Sequence, residues 1–200
     1  MKSAAVFLFL IFVSLLSAAQ EISSVDANTP REVQIRLAKS AAPKEVSESA
    51  DIYVLTRSGY ERAVKGSNGF SCVIERERPD TMEPECYDAE GTRTTLKVRM
   101  FVETQRATGM SEEEIERAVK DGYKSGKFKP PSKPGIVYML SDHNHVLNPG
   151  TKSVIHFPGH LMFYAPYATE KTIGSGEGAP YIVHPGEPDA LLIVVPAKSH

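Results

Sequence analysis

The chain has 200 residues, 41% of them hydrophobic, with 23 Lys and Arg against 25 Asp and Glu for a formal charge of -2. So even a balance excludes the electrostatic footprint of a nucleic-acid or anionic-membrane binder. The length suits a single domain of about 100 to 200 residues, and the apolar fraction is high enough for a real core.

Residues 1–19 read as an export signal. Lys2 supplies a positive start, Ala4 to Leu16 is an apolar run, and Ser17-Ala18-Ala19 places small residues before Gln20. The run falls short of the roughly 20 apolar residues that span a membrane. Cleavage after Ala19 is therefore expected, with no membrane insertion afterwards. No cysteine follows the small residues, so no lipid anchor is expected. Cleavage removes Lys2 and no acid, which moves the formal charge from -2 to -3. The expected organisation is a flexible tail over 20–28, then one α+β domain over 29–200, in a secreted or periplasmic protein.

The domain opens with a helix. Thr29 is placed to cap it, Pro30 suits the first position, Glu32 completes a capping box, and Val33, Leu37, Ala38 and Ala41 form an apolar stripe before Pro43. From Ile52 the period changes to alternation. Ile52–Thr56, Glu61–Lys65 and Phe70–Arg76 read as strands, and Ser58-Gly59 and Asn68-Gly69 between them predict two successive hairpins.

Cys72 and Cys86 are the only cysteines, so an exported chain is expected to pair them. The segment between them is charged and carries Pro79 and Pro84, which predicts a stapled surface loop that buries little. The spacing and setting lack the close pair and helix N-terminus of a thiol-exchange motif.

Thr95 to Thr108 fits either a strand or a helix, and Gly109 as a stop favours helix. Ser111 with Glu114 is a second capping box, and Ile115, Ala118, Val119 and Tyr123 mark a buried face. Lys124, Lys127, Lys129 and Lys133 belong to a solvated linker region. The central strands are expected at Ile136–Leu140, Leu161–Tyr164 and Leu191–Val195, with Gly174–Gly178 a surface loop. These elements predict an α+β fold, a mostly antiparallel sheet with about three helices packed on one face.

Between two of those strands lie four of the six histidines, His143, His145, His156 and His160, with Asp142 beside them. They are the candidate metal ligands, because zinc or copper needs three or four nitrogen, sulfur or carboxylate donors converging at about 2 Å. Hydrogen-bonded loop histidines with no cofactor are the alternative, and a general acid or base is a third role. No His-Glu-x-x-His, Gly-x-Ser-x-Gly or Walker pattern is present.

Tyr138-Met139-Leu140-Ser141 with His160-Leu161-Met162-Phe163-Tyr164-Ala165-Pro166 resembles a family of exported bacterial proteins of unknown function. The likeness extends to Gly66-Ser67-Asn68-Gly69-Phe70 with Cys72, to Cys86-Tyr87-Asp88-Ala89-Glu90-Gly91, and to Gly126-Lys127-Phe128 ahead of Pro131-Ser132-Lys133-Pro134-Gly135. Where that family has a Pro-His pair, Gly159 here separates Pro158 from His160. The resemblance implies export and a shared fold, and brings no activity with it.

Three functions fit these observations. The first is a non-enzymatic domain that binds a small molecule or an envelope protein, with Tyr138, Phe163, Tyr164 and Tyr167 lining a groove. The second is a metal-binding protein or metallohydrolase built on the histidines. The third is a structural envelope protein whose histidines are incidental.

Overall fold

The computed structural model describes residues 24–76, 78, 81–148, 150–151, 153–174 and 180–196. The expected signal at 1–19, the start of the tail, residues 175–178 of the glycine loop and the last four residues lie outside them. No helix among the described residues is long and apolar enough to cross a membrane.

The main sheet runs β2-β1-β3-β4-β5-β8-β10-β9, built from β1 (Asp51–Thr56), β2 (Gly59–Val64), β3 (Ser71–Glu75), β4 (Thr81–Tyr87), β5 (Ile136–Met139), β8 (His160–Tyr164), β9 (Tyr181–Val183) and β10 (Leu191–Val194). A small hairpin, β6 (His145–Leu147) and β7 (Val154–His156), attaches to the far end of β4. Every pairing is antiparallel except β1 with β3. The three strands expected at the centre are indeed neighbours, in the order β5-β8-β10.

Helices α1 (Arg31–Lys39), α4 (Thr95–Ala107) and α5 (Glu112–Lys124) are the long ones, and α2 (Lys44–Ser47), α3 (Ala89–Arg93) and α6 (Glu170–Ile173) are single turns. They do not share one face. Leu37 and Ala38 of α1 pack with Ile52, Cys72, Ile74, Met82 and Cys86, whereas Leu96 of α4 packs with Val73 and Tyr87. Neighbouring residues on a strand point to opposite sides, so α1 and α4 cover opposite faces. Helix α5 then packs on α4.

Two local expectations need correction. Thr29 does not cap α1; its hydroxyl accepts from the Asp26 amide at 3.0 Å, and Pro30 occupies the cap position with no side-chain bond. Nor does Asn68-Gly69 close a second hairpin. The amides of Ser67 and Asn68 both bond to the Ser49 carbonyl, and Asn68 Nδ2 donates to the Val46 carbonyl at 2.7 Å. These bonds tie the loop beneath β1, so the chain crosses under that strand and β3 pairs with it in parallel on the other side. The Ser111 capping box does form, and Thr95–Ala107 is helical.

The larger correction concerns the cysteines. They are bonded, but as directly opposed residues of two central strands, with Cα atoms 4.0 Å apart. Every residue of β3 and β4 is buried. The charged segment was expected on the surface because a glutamate is rarely buried unless paired. Glu75, Glu83 and Glu85 are buried as a group instead, and each has a polar partner.

Candidate functional site

Alternation along β4 turns Met82 and Cys86 toward α1, and Thr81, Glu83, Glu85 and Tyr87 toward α4. On β3, Val73 and Glu75 share that second face. The register sets Glu75 opposite Glu83, and Val73 opposite Glu85. Like charges directly across a strand pair are destabilising, so this arrangement needs compensation. Part of it comes from α4, where Arg99 Nε lies 2.8 Å from Glu75 Oε1. Thr81 Oγ1 donates to Glu83 Oε2 at 2.9 Å.

The remainder is a shared proton. Tyr87 Oη contacts both Glu75 Oε2 and Glu85 Oε2, yet a phenol has one hydrogen to give. The contacts are all satisfied when Glu85 is protonated, donating to Tyr87, which donates to Glu75, which faces Arg99. Burial and the neighbouring Glu75 charge push the Glu85 carboxyl well above the ordinary carboxylate range. Burial and the same two carboxyls raise the Tyr87 phenol. For Arg99, burial works against the charge, but Glu75 and its neighbours outweigh it and hold the guanidinium protonated.

This proton gives stability a defined pH dependence. A carboxyl raised above its unfolded value near 4.3 contributes most below that pH, and the contribution fades as pH rises through the folded value. Glu85→Gln keeps a neutral donor toward Tyr87 and cannot ionise. The variant is therefore expected to gain on the wild type steadily from about pH 4 upward, read by urea denaturation at several pH values. Parallel curves would show that Glu85 does not hold the proton.

Beside the carboxyls opens a cavity of about 220 Å³. Glu75, Glu83, Glu85 and Arg99 line one side, Met139, Met162, Leu191 and Ile193 form apolar walls, and Phe157, Tyr181, His160 and His184 complete it. The strand pairing explains why space is left here. Beyond β3, β4 pairs with β6 through Thr81 and Met82 and with β5 through Cys86 and Tyr87. Pro84, which has no amide hydrogen to offer, falls in the gap between those two partners.

Met139 pairs with His160 across β5 and β8, and continuing the β4/β5 register one residue past Cys86 sets Glu85 level with them. Strands lie about 4.8 Å apart, so the Glu85 and His160 backbones are separated by about 10 Å with the cavity over them. His160 is only 7% exposed, and its Nδ1 lies 3.0 Å from the Pro158 carbonyl. That contact fixes Nδ1 as the protonated nitrogen and leaves Nε2 an acceptor with no partner among the described residues. Burial lowers the His160 pKa despite the Pro158 bond, so the ring is neutral. Gly159 permits this placement, since a Cβ there would sit 3.1 Å from the Leu140 backbone.

On another wall His184 adopts φ 54°, a conformation uncommon outside glycine. Its Nδ1 is 3.3 Å from Asp189 Oδ2, which is also 4.0 Å from Arg99 Nη2. Burial would raise the Asp189 carboxyl, but His184 and Arg99 together lower it. The neighbouring charge cluster is composed differently. There Glu103 meets two guanidiniums, Arg76 at 2.6 Å and Arg106 at 2.7 Å, and Arg106 also pairs with Glu112 at 2.7 Å.

The histidines named from sequence separate into different settings. His145 and His156 face each other across the β6/β7 hairpin, with ring centroids 5.5 Å apart, and His145 Nδ1 lies 2.8 Å from the His143 carbonyl. His143 itself is exposed, and His160 belongs to the cavity. No group of three or more His, Cys, Asp or Glu among the described residues is placed to hold a metal ion. The four aromatics expected to line a groove do not line this cavity. Tyr138 packs on Phe70 over the disulfide face, Tyr164 donates to Asp88 at 3.0 Å, and Tyr167 is exposed. Sequence reasoning missed Glu75, Glu83, Glu85, Tyr87 and Arg99, although glutamates alternating with Met82 and Cys86 are the mark of a two-faced strand.

Searches against protein-family models, curated proteins and solved structures found no match to this chain.

Proposed function

We propose that this is an exported, non-enzymatic domain that binds a small molecule in the cavity between the Glu85 and His184 sides of the sheet. The observation that carries the reading is a space of about 220 Å³ with apolar walls and a few convergent polar groups, the usual composition of a small-molecule site. A dry 150 Å³ cavity already accepts benzene, so the space suits one ring with a short arm. The disulfide favours an oxidising compartment, and the resemblance to exported proteins points the same way. His145 and His156 leave metal binding as the second reading, which needs at least one further donor.

Methyl NMR of Met139 and Met162 tests the cavity reading. A panel of one-ring alcohols and amines is expected to shift both methyls, and Ile193→Trp, which fills the space, to abolish the shifts. Panel members that leave both methyls unmoved would refute it.

A further inference from the structure

The carboxyl cluster is one positive charge short. Glu75 and Glu85 share Tyr87, and the single guanidinium that serves them, Arg99, is drawn on by Asp189 as well. Next door, Glu103 and Glu112 have two guanidiniums between them, Arg76 and Arg106. A proton makes up the difference when the cavity holds only solvent, and Glu85, which carries it, lines the cavity. Across the space, His160 is more than nine-tenths buried and offers Nε2 as an acceptor that nothing among the described residues uses. The two polar groups thus call for the same thing, a ligand that donates hydrogen bonds and brings positive charge. The walls between them call for an apolar body.

We propose that the cavity receives a small apolar amine in its ammonium form, and that the ammonium takes the place of the proton held between Glu75 and Glu85. This rests on the cavity being the binding site. On binding, the Glu85 carboxyl ionises and loses its proton to solvent. The ammonium then donates to Glu85 and to His160 Nε2, and the cluster keeps the same net charge. The groups facing Glu85 are Glu75 from β3, Glu83 and Tyr87 from β4, Arg99 from α4, and His160 and Tyr164 from β8. Tyr181 stands on β9, and the segment leading from β9 to β10 adds His184 and Asp189. Of these, Arg99 is held by Glu75, His184 by Asp189, and Tyr164 donates to Asp88. None of those three supplies the missing charge.

The test compares one-ring amines such as benzylamine and 2-phenylethylamine with the corresponding alcohols, by calorimetry on the intact protein in buffers of different ionisation enthalpy. The amines are expected to bind at least tenfold more tightly at pH 7.5, with a proton release that the alcohols do not show. Their affinity should rise about tenfold per pH unit while Glu85 is protonated in the free protein. Glu85→Gln should remove the amine preference and the proton release, with a cooperative urea denaturation curve establishing that the variant is folded. Amines and alcohols binding equally, or amines binding without proton release, would overturn the charge exchange and leave the cavity reading standing. Failure of both series to bind would overturn the cavity reading and this inference with it.

Discussion

An Arg99→Met variant is expected to lose about 3–5 kcal/mol of stability at pH 7, the loss typical when one partner of a buried ion pair is removed. Methionine fills much of the arginine volume, so the cost is electrostatic and not that of a hole. It falls on Glu75, which keeps Tyr87 and Glu85, while Asp189 keeps His184. Urea denaturation at pH 7 reads the loss. A variant as stable as the wild type would mean that the guanidinium contributes nothing to the buried carboxyls.

The second large effect is expected from removing the disulfide. Cys72 and Cys86 are separated by 14 positions and both are fully buried. A crosslink of this span stabilises by about 3 kcal/mol through the unfolded chain. The Cys72→Ala/Cys86→Ala double variant should show that loss, and the reduced wild type should match it closely. The strands it joins carry Glu75 and Glu85, so the variant should also lose part of the pH dependence assigned to their shared proton. A reduced protein as stable as the oxidised one would contradict this account.

The sheet's antiparallel character, the helical state of Thr95–Ala107, the Ser111 cap and the adjacency of Ile136–Met139, His160–Tyr164 and Leu191–Val194 were legible in the sequence, because each rests on local period or on a cap. Ser67 and Asn68 were misread because their partner, the Ser49 carbonyl, is remote in the chain and bonding to it overrides turn preference. The site was misread for a related reason. Charge between Cys72 and Cys86 argues for the surface unless its neutralisation is known, and Arg99 comes from a helix beyond the strand pair. The histidines stood out by density. Among the described histidines only His160 and His184 reach the cavity, and nothing in the spacing of His143, His145 and His156 distinguishes them from those two.

The sheet has an uneven seam. Strands β1 to β4 come from one continuous stretch of chain and β5 to β10 from another, with all of α3, α4 and α5 between them. Within the main sheet the described strand pairing between the two halves is short, Cys86 with Tyr138 and Tyr87 with Val137, extended by the Asp88 amide on the Ile136 carbonyl. Joining residues so far apart in sequence carries a loop-closure penalty before any reward, which slows folding. The first half can collapse on its own, but its glutamates then face no cavity wall, since Met139, His160 and Ile193 all arrive with the second. Late docking of the halves, after the hairpins themselves, is therefore the step at which the cavity first exists, and a pulse-labelling hydrogen-exchange experiment should find β5 protected after β3.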